Sequence, residues 1–242
     1  MSVHSRYPKL VEDQRQFFDE LITEEWASYQ SDAWDFSRRF EIESILRDCQ
    51  PARVLDIGCG CGFHDAEFAR RPFVQQVDAV DYSSASIQRA NEAYPHPKVR
   101  RWVADLRSDR LDPTYDLVVS FQVIEHLADP SAYLQFAMMA CRPGGPIAVV
   151  TPNVDRLDNR IRRWRGEPAV LVDPQHFREY SRRDLAALGR DHGLIPRRSF
   201  AHGLHSLTVP ALTAKDFRRA TKLGAWLPSL ANVIGVIYEK PV

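Results

Sequence analysis

Apolar positions in the first fifty residues recur at helical spacing. Phe17, Phe18, Leu21 and Ile22, continued by Trp26 and Tyr29, trace one such face. Trp34, Phe36, Phe40, Ile42, Ile45 and Leu46 trace a second, which stops before Pro51. From Ala52 the pattern changes to short apolar runs alternating with helical stretches. Val54–Ile57, Val77–Val80, Val99–Val103, Leu117–Phe121 and Ile147–Thr151 read as five strands. Between them Asp65–Arg70, Ser84–Ala93 and Pro130–Cys141 read as helices, the second capped by Ser83 or Ser84 and the third ended by Pro143, Gly144 and Gly145. Strands and helices in strict alternation predict a mostly parallel sheet covered on both faces.

Beyond Pro152 the order loosens. The pattern predicts a helix over 153–165, a loop over 166–175, and a helix over 181–192 with Ser181 as N-cap and Gly193 as stop. Arg198–Ala201 and Val233–Tyr238 read as late strands, an antiparallel pair. The stretch 203–231 is the least readable, and the apolar segment 223–237, broken by Pro228 and Asn232, reads as a loop leading into a core strand. The chain therefore divides into an N-terminal helical cap over 1–50 and an α/β domain over 51–242, with a substrate-side insertion at about 152–180.

Composition narrows the function classes. Lys plus Arg total 32 and Asp plus Glu total 32, so the formal net charge is +0, which leaves no general footprint for nucleic acid. The local arginine run Arg156, Arg160, Arg162, Arg163, Arg165 reads first as a solvated helix face, and otherwise as a contact for a phosphate, carboxylate or anionic headgroup. Cys49, Cys59, Cys61 and Cys141 form no CxxC pair and no disulfide framework, which suits a reducing, cytoplasmic setting. The N-terminus lacks a secretory apolar stretch, and no run approaches the roughly 18 apolar residues that a membrane span needs.

The chemistry concentrates where the strands end. Val54-Leu55-Asp56-Ile57-Gly58-Cys59-Gly60-Cys61-Gly62 runs a strand through an acid into a turn with three glycines, which allow unusual dihedrals and close backbone approach to a ligand. A nicotinamide fingerprint would read GxGxxG; this turn reads GxGxG, and the carboxylate of Asp56 ahead of it suits an amine-bearing ligand better than a diphosphate. Asp81 ends the second strand about 20 residues on, where a ribose-binding acid is expected. Asp105 follows the third strand and can accept from an adenine amino group, with Tyr82 and Leu106 placed to sandwich the purine. Cys59 and Cys61 sit too close together in one tight turn for zinc.

The segments VLDIGCGCG, AVDYS, WVADL and DLVVSFQVIEHLADP, in this order over 52–151, resemble class I S-adenosylmethionine-dependent methyltransferases, most closely the small-molecule group of quinone-biosynthesis O-methyltransferases. The resemblance implies a Rossmann-like, seven-stranded, mostly parallel sheet with helices on both faces. It implies S-adenosylmethionine as donor, held by Asp56, Gly58, Cys59, Gly60, Asp81, Tyr82, Asp105, Leu106 and Gln122, and S-adenosylhomocysteine as product. Arg38 or Arg39, with Arg39 preferred, falls where that group places an arginine for the donor carboxylate.

Methyl transfer to a hydroxyl gains from a base with a pKa near neutrality, and histidine supplies one. His126 in Glu125-His126-Leu127, after the fourth strand, is the first candidate, and His176 in DPQHFREYS the second; the family resemblance places both along the acceptor. His202 and His205 form a third group, in a GLH triplet similar to one that faces the acceptor in the quinone group. RNA 2′-O-methyltransferases that bind a divalent ion use two glutamates and two histidines in a similar arrangement. Here Glu125, His126 and His176 match, but Gln122 replaces the fourth ligand, which weakens a hard-cation site, so no metal is assigned. The expectation is O-methylation of a small-molecule acceptor (quinone, phenol, sugar or natural-product intermediate). A small amine, RNA 2′-hydroxyls with a metal, and a silent nucleoside-binding protein are the alternatives, and a homodimer is left open.

Overall fold

The structure, a computed structural model, describes residues 2–10, 13–25, 32–109, 111, 115–212 and 216–242. The expected helical positions Trp26 and Tyr29 lie outside the described residues. Seven strands form one sheet: β1 (Arg53–Ile57), β2 (Gln76–Asp81), β3 (Val99–Val103), β4 (Leu117–Phe121), β5 (Pro146–Pro152), β6 (Ile195–His202) and β7 (Val233–Glu239). Their order is β3-β2-β1-β4-β5-β7-β6. The first five strands are parallel to their neighbours, whereas β7 runs antiparallel to both β5 and β6. The chain order reverses direction between β1 and β4, and the carboxyl ends that meet there are where an open α/β sheet binds its ligand.

Alternation of side chains along each strand builds two apolar layers. Leu55, Ile57, Val118, Ile147 and Val149 face α6 (Ser131–Ala140) and α8 (Arg182–Asp191), whose Leu134, Ala137 and Leu185 complete that core. Val54, Leu117, Val119, Ala148 and Val150 face the other way, toward α4 (Phe63–Ala69) and α3 (Asp32–Leu46). Ile42 and Ile45 of α3 are fully buried in that second layer, each contributing about 1.5–3 kcal/mol. The helix α3, expected as part of a cap, is thus a structural layer of the sheet. Ahead of it α1 (Val3–Arg6) and α2 (Arg15–Glu24) share a small core of Val3, Phe17 and Leu21.

The C-terminal region departs from the sequence pattern. The stretch that includes 223–226, expected as a loop, holds α9 (Phe217–Trp226), capped by the Asp216 carboxylate on the Arg219 amide. Its inward face is Ala220, Thr221 and Gly224, while Leu223 and Trp226 point outward. Small residues are turned in because β6 lies close: a Cβ on Gly224 would stand 2.4 Å from the Gly203 nitrogen. The hydrophobic pattern is therefore inverted and invisible to periodicity. The helix expected over 153–165 is α7 (Leu157–Trp164), and Arg156 leaves the solvated run, buried against Glu179. The antiparallel pair is present, and β6 extends three residues earlier than expected. Among the described residues no helix is long and apolar enough to cross a membrane.

Candidate active site

The glycine turn closes the carboxyl end of β1. Gly58, Gly60 and Gly62 all have positive φ, at 72°, 49° and 81°. The amides of Gly58 and Cys59 donate to the Val80 carbonyl at 2.7 and 3.0 Å, hooking the turn to the end of β2. At Gly58 a Cβ would lie 2.4 Å from Val123 Cγ2, whereas at Gly60 nothing stands within 4 Å. The first glycine serves packing; the second leaves backbone open to an approaching ligand.

Asp81 completes the turn. Its Oδ2 accepts the Gly60 amide at 2.8 Å and its Oδ1 the Ser83 amide at 2.8 Å. Burial outweighs those amides and raises its pKa. Asp56, fully buried, has no partner for either oxygen among the described residues. Burial first, then the nearby Asp65 and Asp81, push its carboxyl well above the usual range. A buried carboxylate left unpaired is costly, so this position calls for a donor group. Asp65, at the start of α4, is paired with Arg101 of β3 through two hydrogen bonds at 2.6 and 2.8 Å. That buried pair bolts the helix after the turn to the sheet.

The adenine side is arranged differently from expectation. The Tyr82 ring is covered by the Arg15 guanidinium at 3.8 Å. Asp105 is bound by Arg107 at 2.8 and 3.0 Å, which holds its pKa down. Leu106 packs against the core beside Ala104. The faces expected to receive a purine therefore carry arginines from the cap and from the Asp105 loop. Of the two arginines on α3, Arg38 is the one whose charge is felt at Cys61 and His64, over the Phe63 ring at 5.2 Å. Arg39 is half exposed, 3.5 Å from Glu67.

Past β4 the chain turns sharply. Gln122 takes φ 56°, the only non-glycine residue with positive φ among those described, and it is exposed. Such strain clusters at functional sites. A single 3-10 turn, Ile124–His126, follows. Glu125 is buried; its Oε2 accepts from Thr151 Oγ1 at 2.9 Å, and its Oε1 has no partner among the described residues. Burial pushes its pKa up to about 7. Its backbone carbonyl accepts the Phe177 amide at 2.9 Å, which draws the 173–178 loop against it.

That bond brings His176 edge-on to His126, with centroids 4.6 Å apart. One ligand atom from each of Glu125, His126 and His176 lies within 4.8 Å of the others. His126 Nδ1 is held by the Gln175 carbonyl and the Gln14 amide oxygen, each at 3.2 Å; His176 Nδ1 is held by Glu179 at 3.1 Å. With Nδ1–H donated to oxygen on both rings, each Nε2 carries a lone pair. Burial above all lowers the His126 pKa to about 4, far from the neutral value that a base gains from. Phe18 of α2 stands edge-on to His126 at 5.1 Å, so α2 reaches this pair.

Sequence reasoning passed over three features. Asp19 of α2 accepts from Ser83 Oγ at 2.5 Å and from the Ala85 amide at 3.3 Å, tying the cap to the Asp81 loop. Arg101 gave no signal on a half-exposed strand. Glu41 of α3 joins His64 at 2.9 Å and His202 at 2.7 Å, two residues 23 and 161 positions away that only folding brings to it.

A family profile described as a methyltransferase domain matches residues 26–196. A protein of Mycolicibacterium smegmatis named a probable S-adenosylmethionine-dependent methyltransferase is 34% identical over 157 residues, 62% of this chain and 56% of its own. The ubiquinone biosynthesis O-methyltransferase of Xanthomonas oryzae is 27% identical over 212 residues, 83% of this chain and 72% of its own. The solved N-methyltransferase NodS from Bradyrhizobium japonicum, in complex with S-adenosyl-L-homocysteine, shares the fold with a TM-score of 0.64 at 14% identity, over 96% of this chain and 100% of that one. The chain spans little more than half the length of the mycobacterial relatives it matches. With four motifs in order, a sheet of the expected topology and a family profile over most of its length, the chain belongs to the methyltransferase domain family, that of the class I S-adenosylmethionine-dependent methyltransferases.

Proposed function

We propose that the protein transfers the methyl group of S-adenosylmethionine to a hydroxyl of a small molecule of the quinone-precursor, phenol, sugar or natural-product class. The observation that carries the donor assignment is the open backbone at Gly60, hydrogen-bonded to Asp81 and neighboured by the unpartnered Asp56. These residues fit the donor. Asp81 keeps lone pairs for the ribose hydroxyls. Asp56 would take the ammonium, directly or across a bound water. Gly58, Cys59, Gln122 and Arg38 or Arg39 border the methionine part, and Tyr82, Asp105 and Leu106 the adenine, once Arg15 and Arg107 swing aside. Support for a hydroxyl acceptor comes from the similarity to a ubiquinone biosynthesis O-methyltransferase over most of the chain. The balanced charge disfavours RNA, and the free thiols of the four cysteines suit a reducing cytoplasm.

A donor sulfonium brings its own activation, so the chain's work is to align donor and acceptor and to exclude water. His126 and His176 line the acceptor side under the cap. With its low basicity His126 orients the acceptor by accepting a hydrogen bond at Nε2. Calorimetry with S-adenosylmethionine, S-adenosylhomocysteine and NAD tests the donor, and product analysis with catechol and small amines tests the acceptor. Tighter binding of NAD, or binding without turnover of any acceptor, would overturn the proposal.

One observation favours a second reading, in which a divalent cation assists. Glu125, His126 and His176 present three convergent N and O donors, and both rings are oriented through Nδ1 as metal-bound histidines commonly are. Glu125 Oε1 and the two Nε2 atoms would hold the ion, and a bound cation polarises an acceptor oxygen. Dialysis against a chelator followed by Mg2+ or Mn2+ tests this reading: a rise in melting temperature abolished by Glu125→Gln supports it.

A further inference from the structure

A second buried polar cluster lies on the opposite face of the sheet from Glu125. Glu41, buried in α3, accepts at both carboxylate oxygens: from His202 Nε2 at 2.7 Å and from His64 Nε2 at 2.9 Å. Burial works to raise the Glu41 pKa, but the two histidines outweigh it and bring it down to about 2, so the group is a carboxylate. A carboxylate only accepts, and both imidazoles therefore carry their proton on Nε2. That leaves His202 Nδ1 as a bare lone pair. It is buried and has no partner among the described residues. A buried acceptor facing no donor marks a missing group.

Position tells which group. β7 is antiparallel to both β5 and β6, so β6 ends at the same edge as β5, where His202 pairs with Val233 and Thr151 with Ile234. His64 lies flat on Phe121, the last residue of β4, with centroids 3.7 Å apart and planes 7° apart. The series Phe121, His64, Glu41, His202 thus forms one wall of the carboxyl edge, and the Glu125 group forms the other. A donor seated on the Gly60 turn would present its methyl group toward this edge of the sheet.

We propose that His202, oriented by Glu41, is the proton acceptor for the hydroxyl being methylated. This rests on the hydroxyl reading above. As the acceptor oxygen forms its bond to the methyl carbon, the carbon–sulfur bond breaks and its electron pair stays on sulfur as the neutral thioether. The hydroxyl proton passes to His202 Nδ1, and the imidazolium is stabilised by Glu41 through Nε2–H. It is the relation in which a carboxylate holds a catalytic imidazole in one tautomer. Burial lowers the His126 pKa to about 4, far below neutrality. The groups facing His202 are Glu41 from α3, His64 through Glu41, Phe40 at 5.7 Å, and His205 on its own loop. The inward residues of α9, Ala220, Thr221 and Gly224, carry no charge.

The first test uses the wild-type chain. Histidine-selective 15N NMR is recorded with S-adenosylhomocysteine bound and catechol added as probe, His202 being assigned by its loss in His202→Asn. The expected result is a ring protonated at Nε2 whose Nδ1 signal moves when catechol is added. A ring protonated at Nδ1, or an Nδ1 signal that saturating catechol leaves in place, overturns the proposal. Failure of the hydroxyl reading is seen separately, as absence of methylated catechol when wild type is supplied with the donor. In the kinetic arm His202→Asn lowers kcat roughly 10²–10⁴-fold with donor Kd unchanged. Glu41→Gln moves the acidic limb of the kcat/KM profile to lower pH, and Glu41→Asp restores part of it. Full kcat in His202→Asn sinks the assignment.

Discussion

The Gly60 amide donates to the Asp81 carboxylate at 2.8 Å, joining the turn after β1 to the last residue of β2. One side chain thereby shapes the turn and, in the proposed reading, offers its remaining lone pairs to the ribose. Asp81→Ala should weaken binding of S-adenosylhomocysteine by about 1–3 kcal/mol in calorimetry, the loss expected for hydrogen bonds to a charged group. Unchanged affinity would refute the ribose assignment.

The glycines of the turn should separate by phenotype. Gly58→Ala places a methyl against Val123 in a backbone with φ 72°, and should cost about 1–3 kcal/mol of stability. Gly60→Ala meets no protein atom and should cost about 1 kcal/mol, from its φ alone. Its effect should fall on the donor, whose affinity drops at least roughly tenfold because the methyl takes the space that glycine leaves open. Thermal unfolding and calorimetry on the two variants check the contrast, and equal donor affinity for Gly60→Ala and wild type would remove Gly60 from the binding turn.

Gln122 holds a left-handed conformation that glycine adopts without strain. Gln122→Gly should raise stability by about 1 kcal/mol while reducing donor affinity, as expected where strain is retained for function. Urea unfolding and donor titration measure the two effects. A variant with lower stability would show that the side chain holds the turn by contacts rather than straining it.

Glu41 sets a pH dependence of stability. Its folded pKa, about 2, is depressed below the ordinary 4.5 of a glutamate. Its contribution is therefore fully present above about pH 4.5 and is lost as pH falls toward 2. Glu41→Gln should be less stable than wild type by roughly 1.5–3 kcal/mol at pH 7, with the gap closing across that acid window. A gap that stays constant between pH 5 and pH 2.5 in urea titrations would contradict the description of a carboxylate held by two imidazole N–H groups.

Much of this was legible along the chain. The central strands β4 and β5 are short, predominantly apolar runs because both their faces are buried, and that signal needs no partner to be read. The glycine turn and Gln122-Val123-Ile124-Glu125-His126 each follow a strand, Asp81 closes one, and all three could be located by position alone. The α9 helix could not, because it turns Ala220, Thr221 and Gly224 inward and its larger apolar residues out. Arg38 and Arg39 are adjacent and both reach the Phe63 ring, and only the packing of α3, which leaves Arg38 mostly buried and Arg39 half exposed beside Glu67, distinguishes them.

What the amino-acid order determined by itself is therefore the parallel part of the sheet and its ligand-binding edge, since periodicity and turn chemistry act between near neighbours, and the resemblance of its motifs added the kind of donor. What only the tertiary structure decided is which polar groups meet across that edge. Glu41, His64 and His202 come from an N-terminal helix, the first helix of the sheet and the edge strand. Their chemistry exists only once packing has removed them from water and forced each lone pair to find, or await, a partner.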